Sequence, residues 1–213
     1  MKIKLVILDG DGVLFSCKMI HYESLNKALN QIAPSFVIGY EDHLKNFDGK
    51  TSKTKLAILN ERGLPIELND EIWYLKQTYT EFFVPKLIRP EDYLVSQKCL
   101  KELKKDGLLV WCCTNSIKRT AKIMLECSGH LDLLDGYLTN EDVVNPKPSP
   151  EIFKVCMALN NINNPKETVI LEDSDIGLKA ATDSKANVIA VSGPKEINYS
   201  FIKGQILQIE KHG

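Results

Sequence analysis

The sequence contains no long hydrophobic run. No segment approaches the roughly 18 uninterrupted apolar residues that a membrane-spanning helix requires. The first residues lead directly into a short aliphatic segment, without the apolar core and cleavage site of a secretory signal peptide. We therefore expect a protein of the cytoplasm with no membrane partner.

The sequence also lacks an excess of charge of either sign. It has 27 Lys and Arg residues against 28 Asp and Glu residues, which gives a formal net charge of −1 at pH 7. The basic residues form no cluster that would attract a polyanion. We therefore expect no nucleic-acid partner.

Cysteine is present but without the spacing of a metal site. The six cysteines stand at positions 17, 99, 112, 113, 127 and 156. They are typical of buried thiols in a reducing compartment. With 213 residues, 44% of them apolar, the chain suffices for one sizeable domain or for a core with a small insert.

The most informative feature is a pair of acids directly after an aliphatic run. Residues 5–8 read Leu-Val-Ile-Leu, and Asp9-Gly10-Asp11-Gly12 follows. Such a run predicts a strand buried on both faces, as in the middle of a parallel sheet. Ligands of open α/β sheets bind beyond the carboxyl ends of the strands, which is where Asp9 and Asp11 would lie.

Two ordinary alternatives for this segment are a hairpin turn and a calcium loop. Asp-Gly is a strong hairpin signal, but the residues after Gly12 do not alternate between apolar and polar. A calcium loop needs oxygen ligands at its fifth and twelfth positions, where this chain has Val13 and Ile20. Both alternatives are therefore disfavoured.

Three further motifs follow the same logic of polar residues at strand ends. The apolar run 108–113 ends in Thr114-Asn115, and the run 169–171 ends in Glu172-Asp173. Between them, Lys147 lies in the segment Asn-Pro-Lys-Pro-Ser-Pro. Taken singly, Thr114 could be a helix cap, Lys147 a surface lysine, and the two acids a solvated turn.

The second half of the chain alternates between strand and helix patterns. We predict strands over 108–113, 136–139, 168–172 and 187–191, and helices over 116–127, 150–160 and 175–184. Ser149-Pro150 indicates a helix that starts with proline in its first position. The fold class is therefore α/β, a doubly wound parallel sheet with a Rossmann-like core.

The segment between the first two motifs has a different pattern. Residues 16–87 predict helices, with apolar residues spaced as on one helix face. We therefore expect a core domain made of residues 1–15 and 88–213, and an inserted α-helical domain over 16–87.

The four motifs, in this order, resemble those of the haloacid dehalogenase superfamily, in its β-phosphoglucomutase-like subfamily with a helical cap. The resemblance implies that Asp9 attacks phosphorus and forms an aspartyl phosphate, and that Asp11 acts as general acid and then general base. It also implies a Mg²⁺ cofactor held by Asp9, the backbone carbonyl of Asp11, Glu172 and Asp173. Cations are needed because a phosphoryl group repels a bare carboxylate.

The resemblance assigns phosphate contacts to the remaining motif residues. Thr114 and the backbone amide of Asn115 would face the phosphate at a helix N-terminus. Lys147 would contact both Asp9 and a phosphate oxygen. Thr114 and Lys147 thereby count as catalytic as well as substrate-binding residues.

Residues 16–87 occupy the position of the family's cap, which contacts the substrate's leaving group. The resemblance makes His21, Lys50 and Ser52 candidates for substrate binding, although His21 could equally be structural and lysines such as Lys50 and Lys76 are more often solvated. An arginine that is common in the cap's glycine loop is absent, and Ser52 or Lys53 stands there. The resemblance therefore does not carry the substrate over.

Three functions remain open. The first is a Mg²⁺-dependent phosphatase that acts on a small phosphorylated metabolite, such as a sugar phosphate. The second is a phosphomutase, and the third is a non-catalytic binding relative. The complete set of charged groups favours an enzyme, and we expect it to be a monomer or weak dimer.

Overall fold

The computed structural model describes residues 2–212. Contacts within the chain divide it into two compact units. Unit 1 consists of Met1–Ser16 and Ile88–Gly213, and unit 2 of Cys17–Leu87.

Unit 1 is built on a five-stranded parallel sheet. Its strands are β1 (Leu5–Leu8), β2 (Leu109–Cys113), β3 (Gly136–Leu138), β4 (Thr168–Glu172) and β5 (Asn187–Ala190). Their order in the sheet is β3-β2-β1-β4-β5, and each pair of neighbours is parallel. Since the chain moves outward from β1 in both directions, the topological switch point lies at the end of β1. The predicted fold class is confirmed.

Helices cover the sheet of unit 1. They are α5 (Leu94–Lys105), α6 (Lys118–Cys127), α7 (Glu151–Leu159), α8 (Asp175–Asp183) and α9 (Tyr199–His212). Helices α6, α7 and α8 correspond to the three helices predicted for this part of the sequence. Short 3₁₀ turns lie at Pro90–Tyr93, Leu131–Leu133, Asn140–Asp142, Pro165–Glu167 and Pro194–Glu196.

Unit 2 is helical. Its helices are α1 (Lys18–Ile32), α2 (Tyr40–Asp42), α3 (Ser52–Glu61) and α4 (Asn69–Leu87), and a π-helical turn over His43–Phe47 follows α2 directly. Two 3₁₀ turns lie at Pro34–Phe36 and Ile66–Leu68. The α3 helix begins where the Thr51 hydroxyl accepts a hydrogen bond from the Thr54 amide, at 3.2 Å.

Each unit has its own hydrophobic core. In unit 1, one face of the sheet packs on α7 and α8 through residues that include Leu5, Ile7, Phe153, Ile170 and Ala180. In unit 2, α1, α3 and α4 pack through a cluster that includes Leu25, Leu29, Phe47, Leu59 and Ile72. A separate core in each unit is typical of separate domains.

Two local predictions are wrong. Helix α7 begins at Glu151, and Pro150 is its N-cap rather than its first helical residue. The Ser149 hydroxyl accepts from the Glu151 amide at 3.3 Å, so Ser149 acts one residue earlier than a normal cap. Cys127, at the end of α6, is partly exposed, whereas the other five cysteines are buried.

Within residues 2–212, the structure has no helix that combines the length and the hydropathy needed to cross a bilayer.

Candidate active site

The polar ends of β1 and β4 lie side by side. The amide of Asp9 donates to the carbonyl of Leu171 at 3.0 Å, which continues the β1–β4 ladder by one residue. Since Glu172 and Asp173 follow Leu171 directly, the three acids share one edge of the sheet. Asp9 is 8% exposed and Glu172 is fully buried. A solvated turn is therefore the wrong interpretation of Glu172.

Lys147 joins these strand ends. Its Nζ donates to Asp9 Oδ1 at 2.7 Å, to the Cys113 carbonyl at 2.7 Å and to Glu172 Oε1. It also lies 4.9 Å from the centre of the Phe153 ring. Lys147 is only 6% exposed, so the surface-lysine alternative is wrong.

Burial and charge act in opposite directions on the pKa of Lys147. Burial lowers that pKa, but the carboxylates of Asp9 and Glu172 outweigh it, and the pKa rises above its usual value. Burial and the Asp9 charge raise the pKa of Glu172 to about 8, although Lys147 opposes that shift. Lys147 therefore remains charged at neutral pH and stabilises the negative charge of this site.

Asp9, Glu172 and Asp173 form a group that fits a divalent cation. One carboxylate oxygen from each lies within 4.8 Å of the others. The buried Oε2 of Glu172 has no hydrogen-bond partner among the described residues, which is costly unless a further ligand binds there. Mg²⁺ prefers hard oxygen ligands of this kind, so the donor set fits the expected metal.

Two glycines leave room for these carboxylates. A Cβ atom on Gly12 would lie 2.0 Å from Asp173 Oδ2, and one on Gly177 would lie 2.0 Å from Glu172 Oε2. Gly12 also has a φ of +93°, which residues with side chains rarely adopt. Both acids therefore owe their positions to the absence of a neighbouring side chain.

The resemblance implied that Thr114 and Asn115 lie at a helix N-terminus, but the structure places them before one. Helix α6 begins at Lys118, so both residues belong to the preceding turn. Thr114 is 4% exposed, and its hydroxyl accepts from the Ser116 amide at 3.2 Å. A Cβ on Gly10 would lie 3.3 Å from that hydroxyl, so Thr114 borders the Asp9 segment.

The side chain of Asn115 has a role that the sequence did not indicate. Its Nδ2 donates to the Lys147 carbonyl at 3.1 Å, and its Oδ1 accepts from the Lys147 amide at 3.0 Å. The resemblance assigns a phosphate contact only to the backbone amide of Asn115. No local pattern signals this contact, because 32 positions separate the two residues.

Asp11 is half-buried and is not one of the three clustered carboxylates. It makes an isolated parallel bridge with Phe15, in the tight turn where the Leu14 amide donates to the Gly10 carbonyl at 2.9 Å.

Comparison with known proteins identifies the family. The model described as "Haloacid dehalogenase-like hydrolase" matches residues 6–191. The chain belongs to this family. The resemblance drawn from the four motifs is confirmed.

Relatives of this hydrolase include named phosphate-processing enzymes. Pyrophosphatase PpaX of Bacillus mycoides (strain KBAB4) is 24% identical over 202 residues, which cover 90% of this chain and 85% of PpaX. Validoxylamine A 7'-phosphate phosphatase of Streptomyces hygroscopicus subsp. limoneus is 25% identical over 182 residues, which cover 84% of this chain and 80% of that enzyme.

Solved structures share the fold of this hydrolase. The crystal structure of β-phosphoglucomutase from Clostridium difficile has a TM-score of 0.81 at 19% identity, and the match covers 98% of this chain and 99% of that one. CbbY from Rhodobacter sphaeroides, in complex with phosphate, has a TM-score of 0.77 at 20% identity, with 90% and 87% covered.

The remaining candidates of this hydrolase lie in unit 2. His21 is half-buried in α1, and burial followed by the charges of Lys76 and Lys55 lowers its pKa. Lys50 donates to the Asn46 carbonyl at 2.6 Å. Ser52, the first residue of α3, accepts a hydrogen bond from Gln77 at 3.3 Å.

Two lysines of unit 2 are buried, contrary to the usual behaviour of lysine. Lys55 is 4% exposed and Lys76 is 5% exposed. For Lys76, the solvated interpretation is therefore wrong. Nothing in the sequence indicates the burial of Lys55, although its spacing of three residues from Ser52 places both on one face of α3.

Proposed function

We propose that this hydrolase is a Mg²⁺-dependent phosphatase that cleaves the monoester of a small phosphorylated metabolite, such as a sugar phosphate. The observation that carries the proposal is the contact of Lys147 with both Asp9 and Glu172 at the switch point of the sheet. A cation that faces a buried carboxylate at this edge suits a reaction in which that carboxylate approaches a phosphoryl group.

Asp9 is the nucleophile in this proposal. A carboxylate oxygen of Asp9 forms a bond to phosphorus while the bond from phosphorus to the ester oxygen breaks, which leaves an aspartyl phosphate. Asp11 gives its proton to the leaving oxygen. In the second step a water attacks phosphorus, Asp11 takes the proton of that water, and the bond to Asp9 breaks to release inorganic phosphate.

The cofactor in this proposal is Mg²⁺. Asp9, Glu172 and Asp173 would hold it with their side chains and Asp11 with its backbone carbonyl. When bound, Mg²⁺ neutralises phosphate charge. Lys147, Thr114 and the backbone amide of Asn115 contact the phosphate oxygens in the same proposal.

Unit 2 supplies substrate recognition in this proposal, as the cap does in related enzymes. Its candidate contacts are His21, Lys50 and Ser52. We further propose that the enzyme works in the cytoplasm as a monomer or weak dimer, without nucleic-acid or membrane partners.

A phosphomutase is the second candidate. The similarity to β-phosphoglucomutase of Clostridium difficile favours it, while the names of the PpaX and validoxylamine A 7'-phosphate phosphatase relatives favour hydrolysis. The two functions differ in the acceptor of the phosphoryl group, which is water in a phosphatase and a second sugar hydroxyl in a mutase.

The test is a panel of phosphorylated metabolites assayed for release of inorganic phosphate, with Mg²⁺ and with a chelator. We expect release from at least one ester with Mg²⁺, none in chelator, and none from Asp9→Asn, because an amide is a poor nucleophile and a poor ligand. Calcium should restore activity poorly. Full activity in chelator would contradict the proposal.

Phosphorus NMR distinguishes the two candidates. A phosphatase converts sugar 1-phosphates to inorganic phosphate without a bisphosphate activator. Migration of the phosphoryl group to another carbon, with little free phosphate, would make the protein a mutase instead.

A further inference from the structure

The segment that carries Lys147 has few backbone amides with which to fix its conformation. Residues 144–150 read Val-Asn-Pro-Lys-Pro-Ser-Pro, and proline has no N–H group. The segment belongs to no helix or strand, so no ladder of hydrogen bonds holds it. Four amides remain between positions 144 and 149, namely those of Val144, Asn145, Lys147 and Ser149. The acceptors of these four amides therefore decide how the segment is held.

Glu151, the first residue of α7, binds two of the four amides. Its Oε1 accepts a hydrogen bond from the Val144 amide at 2.8 Å, and its Oε2 accepts from the Asn145 amide at 3.0 Å. The Asn145 side chain donates a third hydrogen bond to Oε2 at 2.9 Å. These hydrogen bonds, the one from the Val144 amide first, hold the pKa of Glu151 below its usual value. The carboxylate is therefore ionised at neutral pH and acts as acceptor only.

The other two amides complete the set. The Lys147 amide donates to Asn115 Oδ1 at 3.0 Å, and the Ser149 amide donates to the Pro146 carbonyl at 3.0 Å. Two side chains, those of Asn115 and Glu151, thus supply the acceptors for three of the four amides. Asn115 holds Lys147 itself, whereas Glu151 holds the two residues at the start of the segment.

The prolines couple the start of the segment to Lys147. Pro146 has a fixed φ, and a residue that precedes proline is restricted to extended conformations. Asn145 precedes Pro146 and Lys147 precedes Pro148, so the backbone between Asn145 and Lys147 has few conformations. A displacement of Asn145 is therefore passed on to Lys147 instead of being absorbed between them.

Lys147 tolerates little displacement. Its Nζ lies 2.7 Å from Asp9 Oδ1 and 2.7 Å from the Cys113 carbonyl, and it also contacts Glu172. Hydrogen bonds weaken steeply outside a narrow range of distances and angles, so a shift of about 1 Å would break some of these contacts. The position of the ammonium group depends on how firmly the segment is held.

A simpler role for Glu151 has to be distinguished from this one. Glu151 is an acid in the first turn of α7, where a negative charge stabilises the helix dipole. That role requires the charge alone. The hydrogen bonds to Val144 and Asn145 require, in addition, that the side chain has the length of glutamate.

We propose that Glu151 is a positioning residue for Lys147. Its carboxylate fixes the start of the Lys147 segment and thereby keeps the ammonium group of Lys147 on Asp9. It acts through the backbone and not by contact with Asp9. The consequence for phosphate release rests on the proposed function, whereas the consequence for the Lys147 ammonium group does not.

The ammonium group of Lys147 gives a measurement that needs neither substrate nor Mg²⁺. Protons that are buried and hydrogen-bonded exchange slowly with water, and NMR of protein labelled with ¹⁵N-lysine measures the exchange rate. Lys147→Arg assigns the signal, because it removes one lysine and keeps the charge. In Glu151→Ala we expect the exchange rate of the Lys147 signal to rise about tenfold or more.

A shorter acid separates reach from charge. Glu151→Asp keeps the negative charge in the first turn of α7, but its side chain is one methylene too short to hold both amides at their present distances. We expect its Lys147 exchange rate to rise as in Glu151→Ala. An acid that only stabilised the helix would leave the parent rate in Glu151→Asp.

Glu196 provides the matched control. Its carboxylate also holds a turn, because it accepts from the Ser192 amide at 3.2 Å and from the Ser192 hydroxyl. Glu196→Ala changes the net charge as Glu151→Ala does, but the turn that it releases does not carry Lys147. We expect a similar change in Tm for the two alanine variants, and a Lys147 exchange rate within about twofold of the parent in Glu196→Ala.

Kinetics tests the consequence for the reaction. Both Glu151 variants should lower kcat for phosphate release about tenfold, because small displacements of a catalytic group are costly. Glu196→Ala should keep kcat within about twofold of the parent. A Lys147 exchange rate that rises in the Glu151 variants while kcat stays at the parent value would overturn the positioning role.

Other outcomes would also overturn the proposal. One is an unchanged Lys147 exchange rate in the folded Glu151 variants, and another is an equal rise in Glu196→Ala. If Glu151→Ala does not fold, Glu151→Asp decides by the same measurement. Failure of the proposed function is distinct, because the parent would then release no phosphate while the Lys147 exchange rate still responded to Glu151.

Discussion

The side chain of Asn115 holds the backbone of Lys147 at both of its polar groups. The two hydrogen bonds measure 3.0 and 3.1 Å and join the turn after β2 to the loop that carries Lys147. Because the Lys147 ammonium in turn contacts Asp9 and Glu172, Asn115 positions the cation without touching either acid. Asn115 is therefore a positioning residue as well as a candidate phosphate contact.

Replacement of Asn115 tests this relationship. Asn115→Ala removes both hydrogen bonds, and the Lys147 backbone becomes free to shift. We expect kcat for phosphate release to fall roughly ten- to hundredfold, because small displacements of catalytic groups are costly. Steady-state kinetics on the best substrate gives the measurement.

Asn187 provides a matched control for this experiment. Its side chain also makes two hydrogen bonds to backbone, with the carbonyls of Lys166 and Thr168 at 2.7 and 3.0 Å. These two carbonyls lie at the start of β4, at the opposite end of the strands from Asp9. Asn187→Ala should lose comparable stability and keep its kcat. A similar drop in kcat for both variants would show that the effect is not positional.

The glycine beside Glu172 is the subject of a second prediction. In Gly177→Ala the new Cβ would lie 2.0 Å from Glu172 Oε2, so the carboxylate must move. We expect a loss of about 1–3 kcal/mol in the free energy of unfolding, as for other overpacked sites. The rise in Tm on adding Mg²⁺ should also shrink, since that rise reports metal affinity.

A control variant at Gly204 distinguishes this clash from the general effect of replacing glycine by alanine in a helix. Gly204 is an exposed glycine within α9, and a Cβ there would meet nothing within 4 Å. Gly204→Ala should gain about 0.5–1 kcal/mol through helix propensity and keep the Mg²⁺ response. If Gly177→Ala also gained stability and kept its response, the proposed crowding of Glu172 would be wrong.

The proton-transfer role proposed for Asp11 predicts a dependence on the leaving group. Asp11→Asn should slow the cleavage of alkyl phosphates by about 10²–10⁴-fold, because an alkoxide must be protonated as it leaves. With p-nitrophenyl phosphate, whose leaving group needs no proton, the slowing of aspartyl-phosphate formation should be much smaller. Burst kinetics measures that step, and equal slowing for both substrates would exclude the acid role.

Two buried histidines predict a loss of stability in acid. Burial lowers the pKa of His43 and of His130 to about 4, from 6.5 for a free histidine. Between pH 6.5 and 4 the unfolded chain therefore binds more protons than the folded one. Each histidine should lower the free energy of unfolding by up to about 1.4 kcal/mol per pH unit as the pH falls through this range.

The two histidines differ in their hydrogen bonds, which makes them a matched pair. His130 bonds to Ser96 and Ser128, each at 2.9 Å, while neither ring nitrogen of His43 has a hydrogen-bond partner among the described residues. His43→Leu should reduce the pH slope without destabilising the protein at pH 7. His130→Leu should reduce the slope and lose stability at pH 7. Urea unfolding from pH 4 to 8 tests both, and an unchanged slope in His43→Leu would contradict the prediction.

Local patterns sufficed for the elements that place the candidate catalytic acids. The aliphatic run before Asp9 and the run before Glu172 predict buried parallel strands, and polar residues at their ends predict the site, because ligands of such sheets bind at the carboxyl edge. The observed bounds of the elements differ from the predicted bounds by a residue or two, as at Pro150. A helix start depends on hydrogen bonds that composition does not specify.

The sequence by itself therefore determined the α/β core, the helical character of unit 2 and the family, since these follow from periodicity and from short motifs of fixed order. Only the tertiary structure decided how Asn115 holds Lys147, which carboxylates cluster, and that Lys55 and Lys76 are buried. These relationships join residues far apart in the chain. Their energies depend on distance and on burial, and neither quantity exists until the elements have packed.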